Sequence, residues 1–223
     1  MRTKVKITKK QIKQDKFTTF MLQAKEWILE NWQQLAIGVV AAIVVVVAVV
    51  YFVNMQSSKG EEGAVRLTQA VANLNRGNYQ EAILELGNIA DDYSGRIGGM
   101  AQFYLANAHY ESRNYDQAIE NYQKYIDQCH IDGLTTASAI AGIGACLENK
   151  QEFLAAGDKY VEAIKYFPDS PNVPDYYVGA VRNYVSGSDR EKMEEILGEL
   201  NRNFPNSDYS REATRLAMSL RTK

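Results

Sequence analysis

The stretches GNYQEAILELGNIADDYS (77–94), RNYDQAIENYQKYIDQC (113–129) and QEFLAAGDKYVEAIKYFPDS (151–170) superpose without a gap over their first sixteen residues. Their aromatic residues Tyr79, Tyr115 and Phe153 stand 36 and 38 residues apart. Ala82, Ala118 and Ala156 keep the same intervals, and Met193 follows 37 residues later. Self-similarity at a period of this size marks a repeat architecture in which each unit is one supersecondary element. The surrounding composition is that of a helical domain, rich in Ala, Tyr, Glu, Leu and Ile, with only 4 Pro in the chain. Each unit has room for two helices, and the apolar periodicity predicts them over 61–76, 79–91, 97–112, 115–129, 134–149, 152–167, 173–186, 189–203 and 208–221. Pro168 and Pro205 each stop a helix, because proline cannot continue the hydrogen-bond ladder. One pair cannot bury its apolar face alone, so neighbouring units must stack.

The spacings resemble those of the tetratricopeptide repeat family, whose unit of about 34 residues carries W-x2-L-G-x2-Y, then A-x3-F, then P. The third unit matches best, with Ile140, Ile143, Gly144, Leu147, Ala156, Tyr160 and Pro168 in place. The second supplies Leu105, Ala106, His109, Ala118 and Tyr122, with His130 where proline belongs. The fourth supplies Tyr177, Ala180, Val181, Tyr184, Met193, Leu197 and Pro205. In the first, Ala70, Ala82 and Leu86 fit while Gln69 and Asn73 depart. The resemblance covers about residues 61–205 and implies an all-α, right-handed solenoid of about four helix pairs. Small residues (Ala106, Ala118, Gly144, Ala156) belong where paired helices cross closely. Residues 208–221 then form a capping helix, with Tyr209, Ala213, Leu216, Ala217 and Leu220 on one stripe. Units of 36–38 residues imply turns slightly longer than the family standard.

Upstream lies a segment of another kind. Leu35 to Val53 reads LAIGVVAAIVVVVAVVYFV, nineteen residues without a charge. As a helix it spans about 28 Å, close to the hydrocarbon thickness of a bilayer. A buried helix of a globular domain rarely stays apolar on every face for so long. A cleaved signal peptide fits poorly, since 34 residues precede the run and no A-x-A site follows it. The expected organisation is therefore a basic arm (1–34), a transmembrane helix (35–53), a linker (54–60) and a helical-repeat domain (61–223).

Charge gives the orientation. Residues 1–34 hold eight Lys/Arg against three acids, a net of +5, and residues 54–223 carry −7. Positive-inside logic places the N-terminus in the cytoplasm and the acidic repeats across the membrane. Within the arm, Phe17, Phe20, Met21, Ala24, Ile28 and Trp32 recur at helical spacing. This predicts an amphipathic helix at the membrane surface or a docking helix for a membrane partner. Phe17, Phe20, Trp27 and Trp32 are the candidate interface residues. A short basic run without a folded reader gives no case for nucleic acid.

The chemistry of catalysis is sparse. The chain has 2 Cys and 2 His, and no phosphate-loop, nucleophile-elbow or zincin motif. No catalytic, cofactor or metal residue is proposed. Cys129 closes one predicted helix while Cys146 lies on the order of 18 Å into the next, beyond the ~7 Å that a disulfide spans. Two buried free thiols are expected. His109 falls at a helix crossing, as a packed imidazole rather than a ligand, and His130 sits in a turn.

By the geometry of the family, first-helix residues that point away from the second helix line a concave groove for peptides or partner helices. Here these are Val71 and Leu74, Phe103, Asn107 and Tyr110, Ala141 and Ala145, and Val178 and Arg182. Phe103 and Tyr110 are either anchors for a partner or packing between units. Only Asn107 and Arg182 are suited to gripping a C-terminal carboxylate, too few for that mode.

The order of elements, with the junction WILENWQQLAIGVV, is similar to the YfgM family. These are proteins of the bacterial inner membrane that associate with the SecYEG translocon and periplasmic chaperones. The resemblance implies a non-catalytic accessory that receives unfolded secretory chains or hands them on. An assembly factor for another envelope complex and a self-associating membrane scaffold remain open. Gly38 without a G-x-x-x-G partner argues against tight helix dimerisation.

Overall fold

A computed structural model of the protein describes the backbone of residues 9–221 and the side chains of residues 18–34, 36–38, 40–51 and 59–218. The side chains of Phe17 and Leu220 lie outside the described residues. Every regular element among the described residues is helical. The chain divides into two compact units, Met1–Lys59 and Gly60–Lys223.

The first unit holds α1 (Lys9–Glu30) and the leading part of α2 (Trp32–Asn75). Asn31 separates the helices. Its backbone N–H and its side-chain amide both donate to the Trp27 carbonyl, at 3.0 and 2.9 Å, and close the last turn of α1. Phe20, Met21 and Ile28 are exposed along the expected stripe, but so are Leu22 and Leu29 on the other side of the helix. The apolar surface of α1 is thus broader than a simple amphipathic stripe. Trp32–Tyr51 is long and apolar enough to cross a membrane, and its described side chains are exposed. Residues 54–60, expected as a linker, are helical within α2.

The second unit is the repeat array. The last turns of α2 pair with α3 (Tyr79–Asp92), and α4 (Gly95–Glu111) pairs with α5 (Tyr115–Lys124). Next, α6 (Gly133–Asn149) pairs with α7 (Phe153–Tyr166), and α8 (Val173–Ser186) with α9 (Arg190–Asn203); α10 (Asp208–Arg221) packs on α8 and α9. Ala70, Leu74, Leu86 and Ile89 join Ala101, Leu105 and Ala108 in one core between the first two pairs. A larger core runs from Ala137 to Ala217. The small residues are where the crossings need them. Ala106, Ala118 and Ala156 are fully buried, and a Cβ on Gly144 would stand 3.2 Å from the Ala156 carbonyl. In the capping helix Ala213 and Ala217 are buried and Leu216 packs on the core.

Each pair turns in the same way. Gly77, Arg113, Gln151 and Ser188 adopt left-handed φ of 83°, 63°, 63° and 61°. They are spaced by 36, 38 and 37 residues, as the repeats are. The next residue of each turn donates its N–H back to Asn73, His109, Leu147 or Tyr184, the Schellman closure of a helix C-terminus. Only the first of these turns uses glycine.

One helix departs from expectation. The predicted 115–129 helix ends as α-helix at Lys124, and Tyr125–Cys129 continues it as a π-turn. The wider turn absorbs residues in the unit with the longest spacing. It also carries Tyr125 fully into the core, where its hydroxyl accepts from the Ile131 N–H at 3.2 Å.

Candidate functional site

The groove residues expected on the first helices fall into two clefts. Leu74, Asn107 and Tyr110 line the first, of about 510 Å3, with Asn75, Tyr79, Tyr104, Glu111 and Tyr122. Ala141, Ala145, Val178 and Arg182 line the second, of about 390 Å3, with Tyr160, Tyr176, Asp175 and the capping-helix residues Tyr209 and Glu212. Val71 is half-buried and lines neither.

Phe103 is turned inward. Its ring lies 5.6 Å from Tyr104, 6.0 Å from Tyr122 and 5.6 Å from Tyr125, centroid to centroid, within the core of the second and third pairs. Tyr104, one residue on, stands on the cleft wall instead. Tyr110 does face the cleft. Its ring tilts onto Tyr115, 5.8 Å away, and burial raises its hydroxyl above the ordinary tyrosine pKa. Asn149 bridges these two rings, donating to the Tyr110 hydroxyl at 3.3 Å and accepting from Tyr115 at 3.1 Å.

Asn107 is fixed from below. Its Oδ1 accepts from the Tyr122 hydroxyl at 2.5 Å, while its Nδ2 has no partner among the described residues. A side-chain amide held in this way offers a preset donor to the carbonyl of a bound chain. Burial pushes the Tyr122 hydroxyl pKa well up, so it stays a donor at any ordinary pH.

Arg182, the cation of the second cleft, is already engaged. Its Nε and Nη2 donate to the two carboxylate oxygens of Glu148 at 2.7 and 2.9 Å, a bidentate pair. Asn183 Nδ2 and the Tyr160 hydroxyl add bonds of 2.9 and 3.3 Å to the same carboxylate. Burial works against the charge on Glu148, but the bonds from Arg182, Asn183 and Tyr160 outweigh it and hold the carboxyl below its ordinary range. The pair joins α6 to α8 across 34 residues. Asp116–Lys150 and Asp158–Lys192 repeat that offset between neighbouring pairs at 2.9 and 2.7 Å.

Two glycines that sequence reasoning did not single out set the spacing between units. A Cβ on Gly142 would lie 2.5 Å from the Tyr122 ring, and one on Gly179 3.0 Å from the Tyr160 ring. Each tyrosine sits on the second helix of one pair, and its glycine on the first helix of the next. At the start of α4, a Cβ on Gly98 would collide with the Tyr93 carbonyl.

The remaining candidates are individually placed. Phe20, Trp27 and Trp32 are 66%, 57% and 61% exposed. Cys129 and Cys146 are free thiols; Cys146 is buried and pushed up to about 12 by desolvation, whereas Cys129 is only half-buried. His109 is half-buried, with desolvation lowering its pKa and no partner for Nδ1 among the described residues. Among the described residues no three His, Cys, Asp or Glu converge as a metal site.

The folded array can be set beside known proteins. It is similar to two crystal structures of nearly identical TPR-like repeats from a Podosopora anserina protein described as a kinesin light chain, one of them a point variant of the other. Each aligns with a TM-score of 0.54 at 12% identity, over 71% of this chain and 92% or 93% of the other. At that identity the likeness speaks for the fold alone. No curated protein matches the chain. The model of the tetratricopeptide repeat-like domain matches residues 25–163, beginning before the apolar helix and running through three of the helix pairs. With the helix pairs, turn geometry and crossing residues in hand, the chain belongs to the tetratricopeptide repeat-like domain family.

Proposed function

We propose that this chain is a non-catalytic, membrane-anchored scaffold of the bacterial inner membrane that holds extended segments of other proteins in its first cleft. Its place is beside the SecYEG translocon, where it passes unfolded secretory chains to periplasmic chaperones. The observation that carries the reading is one polypeptide joining an exposed apolar helix to a tetratricopeptide-type array with an open, tyrosine-walled cleft. The family match runs through the apolar helix, which supports that helix as part of the working protein rather than a discarded leader. The charge contrast of +5 before the span and −7 after it supports a cytoplasmic N-terminus and an array across the membrane. On this reading residues 1–34 form the cytoplasmic arm, 35–53 the span and 61–223 the extracytoplasmic array, with Phe20, Trp27 and Trp32 at the membrane interface. The broad apolar surface of α1, covering Leu22 and Leu29 as well as the expected stripe, suits burial in lipid or against a membrane partner.

Site-specific photocrosslinking in cells tests it, with probes replacing Trp27, Tyr104 and Tyr110. Translocon subunits captured at Trp27, together with secretory chains or chaperones at Tyr104 and Tyr110, are the expected result. One discrete envelope complex at the cleft probes, with no translocon at Trp27, would overturn it in favour of an assembly factor.

A further inference from the structure

The first cleft has a chemistry more specific than that of a general peptide groove. Four tyrosines, Tyr79, Tyr104, Tyr110 and Tyr122, stand around it with Asn75, Asn107 and Glu111, and among the described residues no Lys or Arg lines it. Glu111 is exposed and in no ion pair among the described residues. Tyrosine faces carry negative quadrupole density and attract cations, guanidinium above all, because its plane can stack on the ring while its N–H groups reach an acid. The cation of the second cleft cannot compensate an incoming acid, since Arg182 is held by both oxygens of Glu148. The acids facing that second cleft, Asp175 and Glu212, are also exposed. In both clefts, then, the free charges among the described lining residues are negative and the free surfaces aromatic. The net charge of −7 across residues 54–223 adds long-range attraction for a cationic segment.

We infer that the first cleft selects extended segments bearing arginine, stacking the guanidinium among Tyr79, Tyr104 and Tyr110 beside Glu111 while Asn107 Nδ2 bonds the backbone of the segment. The inference rests on the scaffold reading and sharpens it. The ligand is a basic, unfolded stretch of a partner chain, and an acidic or C-terminal carboxylate motif is turned away. The cleft volume of about 510 Å3 has room for such a side chain together with a short run of backbone.

The test is fluorescence anisotropy with the full chain in nanodiscs of zwitterionic lipid, which removes capture of basic peptides by anionic headgroups. The probes are short labelled unstructured peptides of one design, carrying arginine, its neutral isostere citrulline, or glutamate at the same position. The arginine peptide should bind about tenfold tighter than the citrulline peptide, and the glutamate peptide weaker still. Glu111→Gln should remove most of that preference, and Glu191→Gln, which changes net charge equally at an exposed position of α9 away from the cleft, should leave it intact. A preference lost equally in both variants would assign the attraction to net charge and overturn the inference. If arginine and citrulline peptides bind alike and Tyr104→Leu weakens both, the arginine selectivity falls while the scaffold reading stands. If no peptide binds, or binding ignores Tyr104→Leu, both fall.

Discussion

The junction between the second and third helix pairs and the junction between the third and fourth are built on the same contact and used differently. In each, a buried tyrosine of a second helix, Tyr122 at 4% exposure or Tyr160 at 8%, lies over a glycine of the following first helix. The hydroxyls diverge. Tyr122 donates to Asn107 and thereby holds a neutral amide at an open cleft. Tyr160 donates to Glu148, which is already gripped by Arg182 and Asn183, so its junction closes polar groups on one another. The repeat therefore supplies one packing solution, and the polar residue beneath the tyrosine decides whether the surface is offered to a partner or committed to stiffness. An Arg that looks available in sequence is unavailable in the fold.

The largest effect should come from removing the shared contact. Tyr160→Ala and Tyr122→Ala each empty a buried site under a glycine, and each should cost about 3–5 kcal/mol, read as a fall in the urea midpoint. Similar losses would show that the glycine–tyrosine packing dominates both junctions. A much larger loss at Tyr160 would show that the polar network carries the difference.

Next in size is the network itself. Glu148→Gln leaves Arg182 and Asn183 without a charged acceptor. The Arg182 side chain is 42% exposed, so the cost should be about 1–2 kcal/mol, below the loss of about 3–5 kcal/mol for a fully buried pair. The pH dependence gives the sign. The folded-state pKa of Glu148 is lowered, so its contribution is present above the unfolded carboxyl value of about 4.3 and lost as pH falls through the folded value. The melting temperature of the wild type should therefore fall more steeply on acidification below that point than that of Glu148→Gln. Parallel curves would remove Glu148 from the acid response.

Much of this was legible in the residues, and the rest was not for identifiable reasons. The repeat period, the small crossing residues and the prolines determine the helix pairs, and the 173–186 and 208–221 helices match their expected bounds. The π-turn after Lys124 leaves no mark except the longer spacing of its unit, because its i→i−5 bonds need no special residue. Phe103 and Tyr104 differ by one position, a rotation of about 100° on a helix, and both are aromatic, so periodicity alone cannot say which faces the cleft. Gly142 and Gly179 recur 37 residues apart, at one position of consecutive units, but the family pattern asks for no small residue there. The rings they meet sit one helix back in the preceding unit, so the recurrence does not reveal the contact. Arg182 was readable in principle: its acid lies one 34-residue offset upstream, as those of Lys150 and Lys192 do.

Smaller effects separate the two glycines. A methyl at Gly142 must displace a ring pinned by its bond to Asn107, and a methyl at Gly179 meets its ring about half an ångström farther off. Against a gain in helix propensity of up to about 1 kcal/mol, Gly142→Ala should be destabilising by about 1–2 kcal/mol and Gly179→Ala by less. Because Gly142 also lines the second cleft, peptide affinity at the first cleft is the more telling readout. A displaced Tyr122 frees Asn107, so Gly142→Ala should weaken binding there, and Gly179→Ala should not.

The smallest expected change runs the other way. Gln151 closes α6 with φ of 63° directly after Glu148, Asn149 and Lys150, three residues that tie the third pair to its neighbours. An L-residue with a Cβ is strained in that conformation and glycine is not. Gln151→Gly should therefore raise stability by about 0.5–1 kcal/mol, less what the added freedom of the unfolded chain removes. Since the backbone bond from Glu152 to Leu147 is kept, the Glu148–Arg182 pair should keep its geometry, and the acid dependence of melting should match the wild type. A stabilised variant with an altered acid response would mean that strain in this turn sets the position of Glu148, and the stiff junction would then owe its character to the turn as well as to the carboxylate.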